Sequence, residues 1–204
     1  MTENRPETAH LAGALEGDET AQRALYEAHH ASAFRLAYLL LHDRLDAEEV
    51  VQDAFVYAFR NIERYDPDRA SFWTWLRVIL VSRCRNKRRR KRVPRVSLEA
   101  LVAVGEAPAE TKEASDPARA LERLDVRRRV WEALQGVSEG ARDALVLRYY
   151  EGLPYAEVAE ILGCSSEAAR SRVVHGKAQL RDLLTAQEGR SVPESRAVRP
   201  AEVG

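Results

Sequence analysis

Residues 154–172 read Pro154-Tyr-Ala-Glu-Val-Ala-Glu-Ile-Leu-Gly-Cys-Ser-Ser-Glu-Ala-Ala-Arg-Ser-Arg172. Pro154 opens a short helix, and Val158, Ile161 and Leu162 fall on one side of it. Gly163-Cys164-Ser165 breaks it with a tight turn, where Gly163 supplies the positive φ that a sharp corner needs. Ser165 or Ser166 caps a second helix, seated inward by Ala169, Val173, Leu180 and Leu184. Two helices joined by a glycine-containing turn match the helix-turn-helix that enters a DNA major groove. Ser166, Glu167, Arg170 and Ser171 are left pointing outward from the leading half of the second helix. There Arg can bond a guanine edge and Glu can accept from cytosine. Arg172 and Lys177 fall near the phosphates. The bland alternative is an ordinary helical hairpin with a solvated face. It requires small packing residues and a turn glycine to coincide by chance.

Upstream, the helical pattern continues. Ser138 caps a helix that carries Leu145 and Tyr149 and ends at Gly152. Asp116-Pro117, a cap followed by proline at the first helical position, opens another. Its apolar side carries Leu121, Leu124, Trp131 and Leu134. Residues 116–186 thus make one small helical domain, and 187–204, rich in Gly, Ser, Pro, Glu and Arg, read as a disordered tail. Residues 93–115 differ from both flanks. Pro94, Gly105 and Pro108 appear, Ala and Glu dominate and aromatics vanish. This stretch reads as a flexible acidic linker.

Residues 8–92 form a second helical set. Leu25, Ala28, Ser32, Leu36 and Leu39–Leu40 lie near one face of a long helix. Asp46-Ala-Glu-Glu49 reads as an acidic capping box, Asp46 being the cap. Val51, Phe55, Ala58 and Ile62 follow at helical spacing, and the turn sequence Asp66-Pro67-Asp68 ends that helix near Tyr65. Ser71 caps the next, with Phe72, Leu76, Ile79 and Leu80 on one side and Pro94 as its stop. The fold class is all-α, with two small helical domains on either side of the linker.

The 204 residues hold 32 basic and 32 acidic side chains, so the net charge is zero. The charge is nonetheless segregated. Residues 61–95 carry twelve Lys/Arg against three Asp/Glu, while residues 1–60 carry five against eleven. Arg83, Arg85, Lys87, Arg88, Arg89, Arg90, Lys91, Arg92 and Arg95 follow one another with no acid between them. Like charges at i,i+4 repel, so a solvated helix face normally mixes signs. A run this dense points to a polyanion, and nucleic acid fits it better than a membrane surface. Tyr65, Phe72, Trp73 and Trp75 precede the run rather than alternating through it as a membrane anchor would.

Other classes fall away. No apolar run approaches the roughly 20 residues a bilayer requires. The first residues lack a signal-peptide profile, so the chain is expected to be cytoplasmic. Cys84 and Cys164 make neither a disulfide framework nor a zinc site. No nucleophile triad, His-Glu metal motif or phosphate loop is present, so neither catalysis, a metal nor a cofactor is expected. His29 and His30 read as surface or core-edge residues.

With both halves in view, the chain resembles an extracytoplasmic-function (ECF) sigma factor of bacterial RNA polymerase, within the sigma-70 family. Asp46-Ala-Glu-Glu-Val-Val-Gln-Asp-Ala-Phe55 is similar to the polymerase-binding helix of that family's region 2. Tyr65-Asp-Pro-Asp-Arg-Ala-Ser-Phe-Trp-Thr-Trp-Leu76 is similar to its promoter-opening loop and aromatic segment. Leu145-Val-Leu-Arg-Tyr-Tyr-Glu-Gly-Leu-Pro-Tyr-Ala-Glu-Val-Ala159 is similar to region 4. The resemblance covers about residues 10–92 and 116–184.

It implies a factor without bond chemistry of its own. Asp46, Glu49, Gln52 and Asp53 would dock on the polymerase clamp by charge complementarity, with Phe55 and Phe59 behind them. The plain alternative is an amphipathic core helix whose acids favour its N-terminus. Tyr65, Asp68, Arg69, Ser71 and Trp73, followed by Arg83, Asn86, Lys87 and Arg88, would hold the opened −10 element, aromatics stacking on bases and cations following the backbone. Phe72 and Trp75 read as core. Region 4 would read the −35 element and lean on the polymerase flap. Core RNA polymerase and promoter DNA are the implied partners, with an anti-sigma factor as a further candidate. The competing class is a stand-alone helix-turn-helix regulator with a helical N-terminal domain. It leaves the aromatic-then-basic order and the acidic helix without a role.

Overall fold

The computed structural model describes residues 5–92 and 117–190, and side chains within 8–91 and 124–187. Every regular element among these residues is helical. The first half comprises α1 (Arg5–Leu15), α2 (Glu19–Leu41), α3 (Arg44–Arg60), a 3-10 turn over Ile62–Arg64, and α4 (Phe72–Arg92). The second comprises α5 (Pro117–Gly136), α6 (Glu139–Leu145) running into a π-helical turn (Val146–Tyr150), α7 (Tyr155–Leu162) and α8 (Ser166–Arg190). The linker expected at 93–115, Pro94 and the cap at Asp116 lie outside the described residues. So does the tail from 191 on. The last helix, expected to close near Ala186, continues to Arg190.

Asp18 caps α2 by accepting from the Thr20 amide at 2.8 Å. Its buried face carries Ala21, Leu25, Ala33, Leu36, Ala37 and Leu40. Ala28, expected on this stripe, is exposed. A step of three residues from Leu25 rotates backward, while steps of four rotate forward, and the buried stripe follows the latter. Val51, Phe55 and Ala58 of α3 meet Phe72, Leu76, Leu80 and Val81 of α4 in the centre of the bundle.

The start of α3 differs from expectation. Asp43, not Asp46, is the cap, and its carboxylate accepts from the Asp46 amide at 2.9 Å. Asp46 occupies the third helical position. Two aspartates three residues apart present the same pattern in two registers, and the earlier one serves because Ala47, Val50 and Val51 are already buried. Burial acts to raise the Asp43 pKa, but the amide bonds and Lys91 outweigh it and hold the carboxyl below its ordinary value. At the other end, α3 stops at Arg60, and the 3-10 turn carries the chain to Tyr65.

In the second half, Trp131 and Leu134 of α5 are buried, whereas Leu124 is 54% exposed. Leu121 falls among residues whose side chains are not described. Ser138 occupies the N-cap of α6 with its backbone only. Its hydroxyl donates instead to Gln179 on α8 at 3.1 Å. Gly176 of α8 lies so close to α6 that a Cβ there would meet Leu145 at 2.8 Å. This close approach brings the base of α8 onto its support. The Glu151 amide donates to the Val146 carbonyl at 3.1 Å, the i→i−5 bond of a π turn.

The two halves pack on each other. Tyr38 of α2 stacks on Trp131 of α5, ring centroids 4.4 Å apart, both rings buried. His42, in the left-handed region at φ 56°, ends α2 and also touches Trp131. Its two ring nitrogens have no hydrogen-bond partner. Burial first, then the charges of Arg142 and Arg88, push its pKa down to about 3. The unfolded chain therefore binds the His42 proton between about pH 3 and the ordinary histidine value, and the folded chain does not. This contribution to stability is present above the unfolded pKa and is lost as pH falls through that window. His42→Asn, which tolerates the left-handed backbone, should flatten the loss. Urea midpoints at pH 7.5 and 5.0 test this, and equal pH dependence in both proteins would remove His42 as its source.

Candidate nucleic-acid interface

The turn between α7 and α8 is built as a Schellman motif. Gly163 has φ 62°, the Cys164 amide donates to the Ala159 carbonyl at 2.9 Å, and the Gly163 amide donates to Glu160 at 3.2 Å. Ser165 then caps α8, its hydroxyl accepting from the Ala168 amide at 3.1 Å. Val158 and Leu162 of α7 and Ala169 and Val173 of α8 are buried between the helices. The opposite face of α8 presents Ser166, Glu167, Arg170, Ser171 and Lys177 to solvent.

Two aromatic rings brace the cations on this face. Arg170 lies over Tyr155, 4.8 Å from the ring centroid, and Lys177 lies 5.8 Å from that of Tyr149. Arg148 reaches the Tyr155 ring as well, at 5.1 Å. The sequence gave no sign of this bracing, since Arg148 and Tyr155 are distant in the chain from Arg170. Val174 was also missed. It is 62% exposed on the same face, where an apolar side chain can touch a thymine methyl. Its neighbour Val173 is the buried one, and an adjacent pair of valines does not declare which faces out. Arg172 departs from expectation. It is half-buried, its Nη1 lies 3.6 Å from Cys164 Sγ, and it lines a cleft of about 520 Å³ facing Arg85, Arg88 and Arg89 of α4.

The loop before α4 is closed from within. Tyr65 is buried and its hydroxyl donates to the Ala70 carbonyl at 3.0 Å. Asp66 accepts from the Asp68 amide at 3.0 Å. Ser71 caps α4 through the Thr74 amide at 3.2 Å. Asp68, Arg69 and Ser71 are exposed. Tyr65 thus shapes the loop rather than offering an open ring, because its ring packs on Phe72 and Trp75. Phe72 is fully buried, as the core reading expected, and Trp75 is half-buried against it. Trp73 is half-buried over His29, and its indole donates to Glu151 of the second half at 3.2 Å.

The basic run of α4 is not a free solvated stripe. Acids from other helices relieve the repulsion that the run shows in sequence. Arg83 lies over the Tyr57 ring at 4.7 Å. Lys87 pairs with Glu49 and Asp46, and Lys91 pairs with Asp46 and Asp43. Burial disfavours both ammonium charges, yet these carboxylates raise both pKa values above the ordinary lysine range. Arg88 is largely buried and makes a two-pronged pair with Asp143 of α6, at 2.8 and 2.6 Å, while donating to the Leu40 carbonyl at 3.0 Å. Asn86, Arg89 and Arg90 are exposed. Arg77 escaped sequence reading because it stands alone in an apolar stretch. It is buried and pairs with Glu151 at 3.1 Å.

Of the acidic docking set, Glu49, Gln52 and Asp53 are exposed on α3. Asp46 is buried and held by Lys87 and Lys91, so its charge is spent inside the bundle. Among the described residues no cluster of His, Cys, Asp and Glu could hold a metal ion, and no helix is long and apolar enough to cross a membrane.

Comparison with known proteins adds to this geometry. The sigma-70 region 2 family matches residues 25–93, and the sigma-70 region 4 family matches residues 127–180. The RNA polymerase sigma-H factor of Pseudomonas aeruginosa is 30% identical, over 79% of this chain and 84% of that protein. The ECF RNA polymerase sigma-E factor of Escherichia coli K12 is 32% identical, over 65% of this chain and 70% of that protein. Among solved structures, CnrH in complex with the cytosolic domain of CnrY aligns with a TM-score of 0.60 at 26% identity, over 89% of this chain and 98% of that one.

Proposed function

The chain belongs to the sigma-70 family of bacterial RNA polymerase factors, in its extracytoplasmic-function group, and from that membership we propose how its residues divide the work of promoter recognition. The protein binds core RNA polymerase and directs promoter-specific initiation of transcription. In this reading, residues 8–92 act as region 2, 93–115 as the linker and 116–186 as region 4, while 187–204 take no part. The chain carries out no bond chemistry, and synthesis belongs to the polymerase. Core polymerase and promoter DNA are its partners. An anti-sigma factor is proposed as a third, on family membership alone.

Glu49, Gln52 and Asp53 of α3 offer an exposed, acidic, hydrogen-bonding face to the polymerase clamp, backed by buried Phe55. Charge complementarity of this kind sets partner choice and encounter rate more than raw affinity. Trp73 and the exposed loop residues Asp68, Arg69 and Ser71 would meet the opened −10 strand. Stacking on an aromatic ring contributes about 1–3 kcal/mol per base and tolerates any base. Arg83, Asn86, Lys87 and Arg88 would follow the backbone. Ser166, Glu167, Arg170, Ser171 and Lys177 would read the −35 element, while Arg172 would serve it only after turning out of the cleft.

The observation that carries this reading is the pairing, in one chain, of an aromatic-then-basic helix with a helix-turn-helix whose outward face keeps its cations exposed. Run-off transcription with core polymerase on promoter fragments tests it. Transcripts should require both the chain and core. A chain that binds promoter equally well without core, and adds no transcripts to it, would be a stand-alone regulator. The same assay reports on Trp73. Trp73→Ala should leave core binding intact while lowering permanganate reactivity of thymines in the opened segment about fivefold or more, the loss of one stacked base. Undiminished reactivity would return Trp73 to a packing role.

A further inference from the structure

The contacts between the halves fall on the very side chains of α4 that the reading above assigns to DNA. Trp73, Arg77, Arg85 and Arg88 recur at intervals of three, four and eight residues, along one side of the helix. The second half answers each with an acceptor. Glu151 takes the Trp73 indole at 3.2 Å and Arg77 at 3.1 Å. The Leu162 carbonyl, at the negative end of α7, takes Arg85 at 3.0 Å. Asp143 takes both prongs of Arg88, with Glu139 3.4 Å from its Nε. From Arg77 to Arg88 the helix rises about 16 Å, and a row of oxygens accompanies it.

A carboxylate and a phosphate offer an arginine the same thing: two anionic oxygens placed for bidentate bonding. We infer that Glu151 and Asp143 stand in for DNA phosphates, so that in the free chain the second half closes over the −10 surface of the first. The inference rests on the assignment of α4 to the −10 element. It goes beyond it by making promoter opening conditional on the halves parting.

Burial makes the exchange possible without large net cost. Arg77, Glu151 and Asp143 have side chains less than a tenth exposed, and Arg88 is 11% exposed. A buried ion pair adds little stability over its separated, solvated members, yet losing one partner alone is costly. The arginines are therefore held until another anion can replace the carboxylates in the same step. A DNA strand supplies such anions, and binding of both halves to a larger partner supplies the work of separation. The chain between the halves, residues 93–116, could span at most about 80 Å when extended. The closure is also one-sided. The outward face of α8, with Arg170 and Lys177, stays exposed while α4 is covered. In the free chain, single-stranded DNA is thus refused while the duplex-reading face remains accessible.

A population mostly closed lowers apparent affinity by the fraction that is open. The test uses the full chain without polymerase, a fluorescent mixed-sequence single-stranded 20-mer, and small-angle scattering. Glu151→Gln with Asp143→Asn should bind the 20-mer at least tenfold more tightly than wild type and should increase the radius of gyration. Glu132→Gln with Asp182→Asn, both exposed and away from α4, changes the net charge equally and should alter neither by as much. Glu151→Gln alone, nearly isosteric, should give an intermediate result if the double variant is too unstable to handle. A double variant that matches the charge control in affinity, or keeps the wild-type radius, overturns the closure. The underlying reading fails separately: if Arg88→Ala, assembled with core polymerase, opens promoters as wild type does, α4 is not the −10 surface, whatever the scattering shows.

Discussion

Phe72→Ala should cost the N-terminal bundle about 3–5 kcal/mol, the range for truncating a buried Phe to Ala. That is a large share of the roughly 5–15 kcal/mol that holds a small domain together. Phe72 is wholly buried at the first position of α4. Its ring is contacted by Tyr65 edge-on at 5.9 Å, by Trp75 at 6.0 Å, by Phe59 at 6.4 Å and by the His29 imidazole at 5.4 Å. Removing it empties the point where the loop from Asp66 to Ser71 is pinned, so the loop should loosen along with the core. Urea unfolding followed by helical circular dichroism should show a clear fall in midpoint. Phe72→Leu, which keeps most of the volume, should lose much less. A midpoint shift in the alanine variant worth under about 1 kcal/mol, far below the usual cavity cost, would mean that the aromatic cluster is not what anchors the loop.

Arg170→Ala should cost about 1–3 kcal/mol in −35 binding, the value of one bidentate base contact. It should also relax preference at a single base pair. The guanidinium is exposed on the side of α8 away from buried Ala169 and Val173, and it rests over Tyr155. That bracing limits the rotamers the side chain must give up on binding, so little of the contact is lost to ordering. Lys177→Ala should weaken all sequences alike, as loss of a phosphate contact does. A selection over randomised −35 sequences, with both variants beside wild type, separates the two. If Arg170→Ala lowers every sequence equally, base reading moves to Ser166, Glu167 or Ser171.

Local features were legible because their causes are local. Gly163 at a positive φ, Ser165 at the cap and Pro154 before α7 each act on their immediate neighbours, and each stands where the pattern placed it. Ser71 before α4 is of the same kind. The start of α3 was misplaced for a local reason as well, two aspartates competing for one role. What sequence reading could not reach was pairing across distance. Arg88 and Asp143 are 55 positions apart, Arg77 and Glu151 are 74 apart, and nothing in either stretch names the other. The basic run therefore read as an unrelieved charge, whereas much of it is neutralised by residues from α3 and α6. Leu124 shows the opposite error, an apolar residue at helical spacing that no neighbouring element covers.

The π turn at Val146–Tyr150 holds one residue more than an α-helical path would use. Each helical residue turns the chain by about 100°, so that surplus acts like an offset key. It swings Tyr150 toward Arg35, 3.2 Å from its Nε, and Glu151 toward Arg77, while Ala144, Leu145 and Leu147 stay in the core. A relative shorter by one residue at this point would keep the same core and the same reading helix. Its Glu would face elsewhere, and α4 would lie open. Length variation at a single position, with no change in composition, is therefore enough to separate chains that latch from chains that do not.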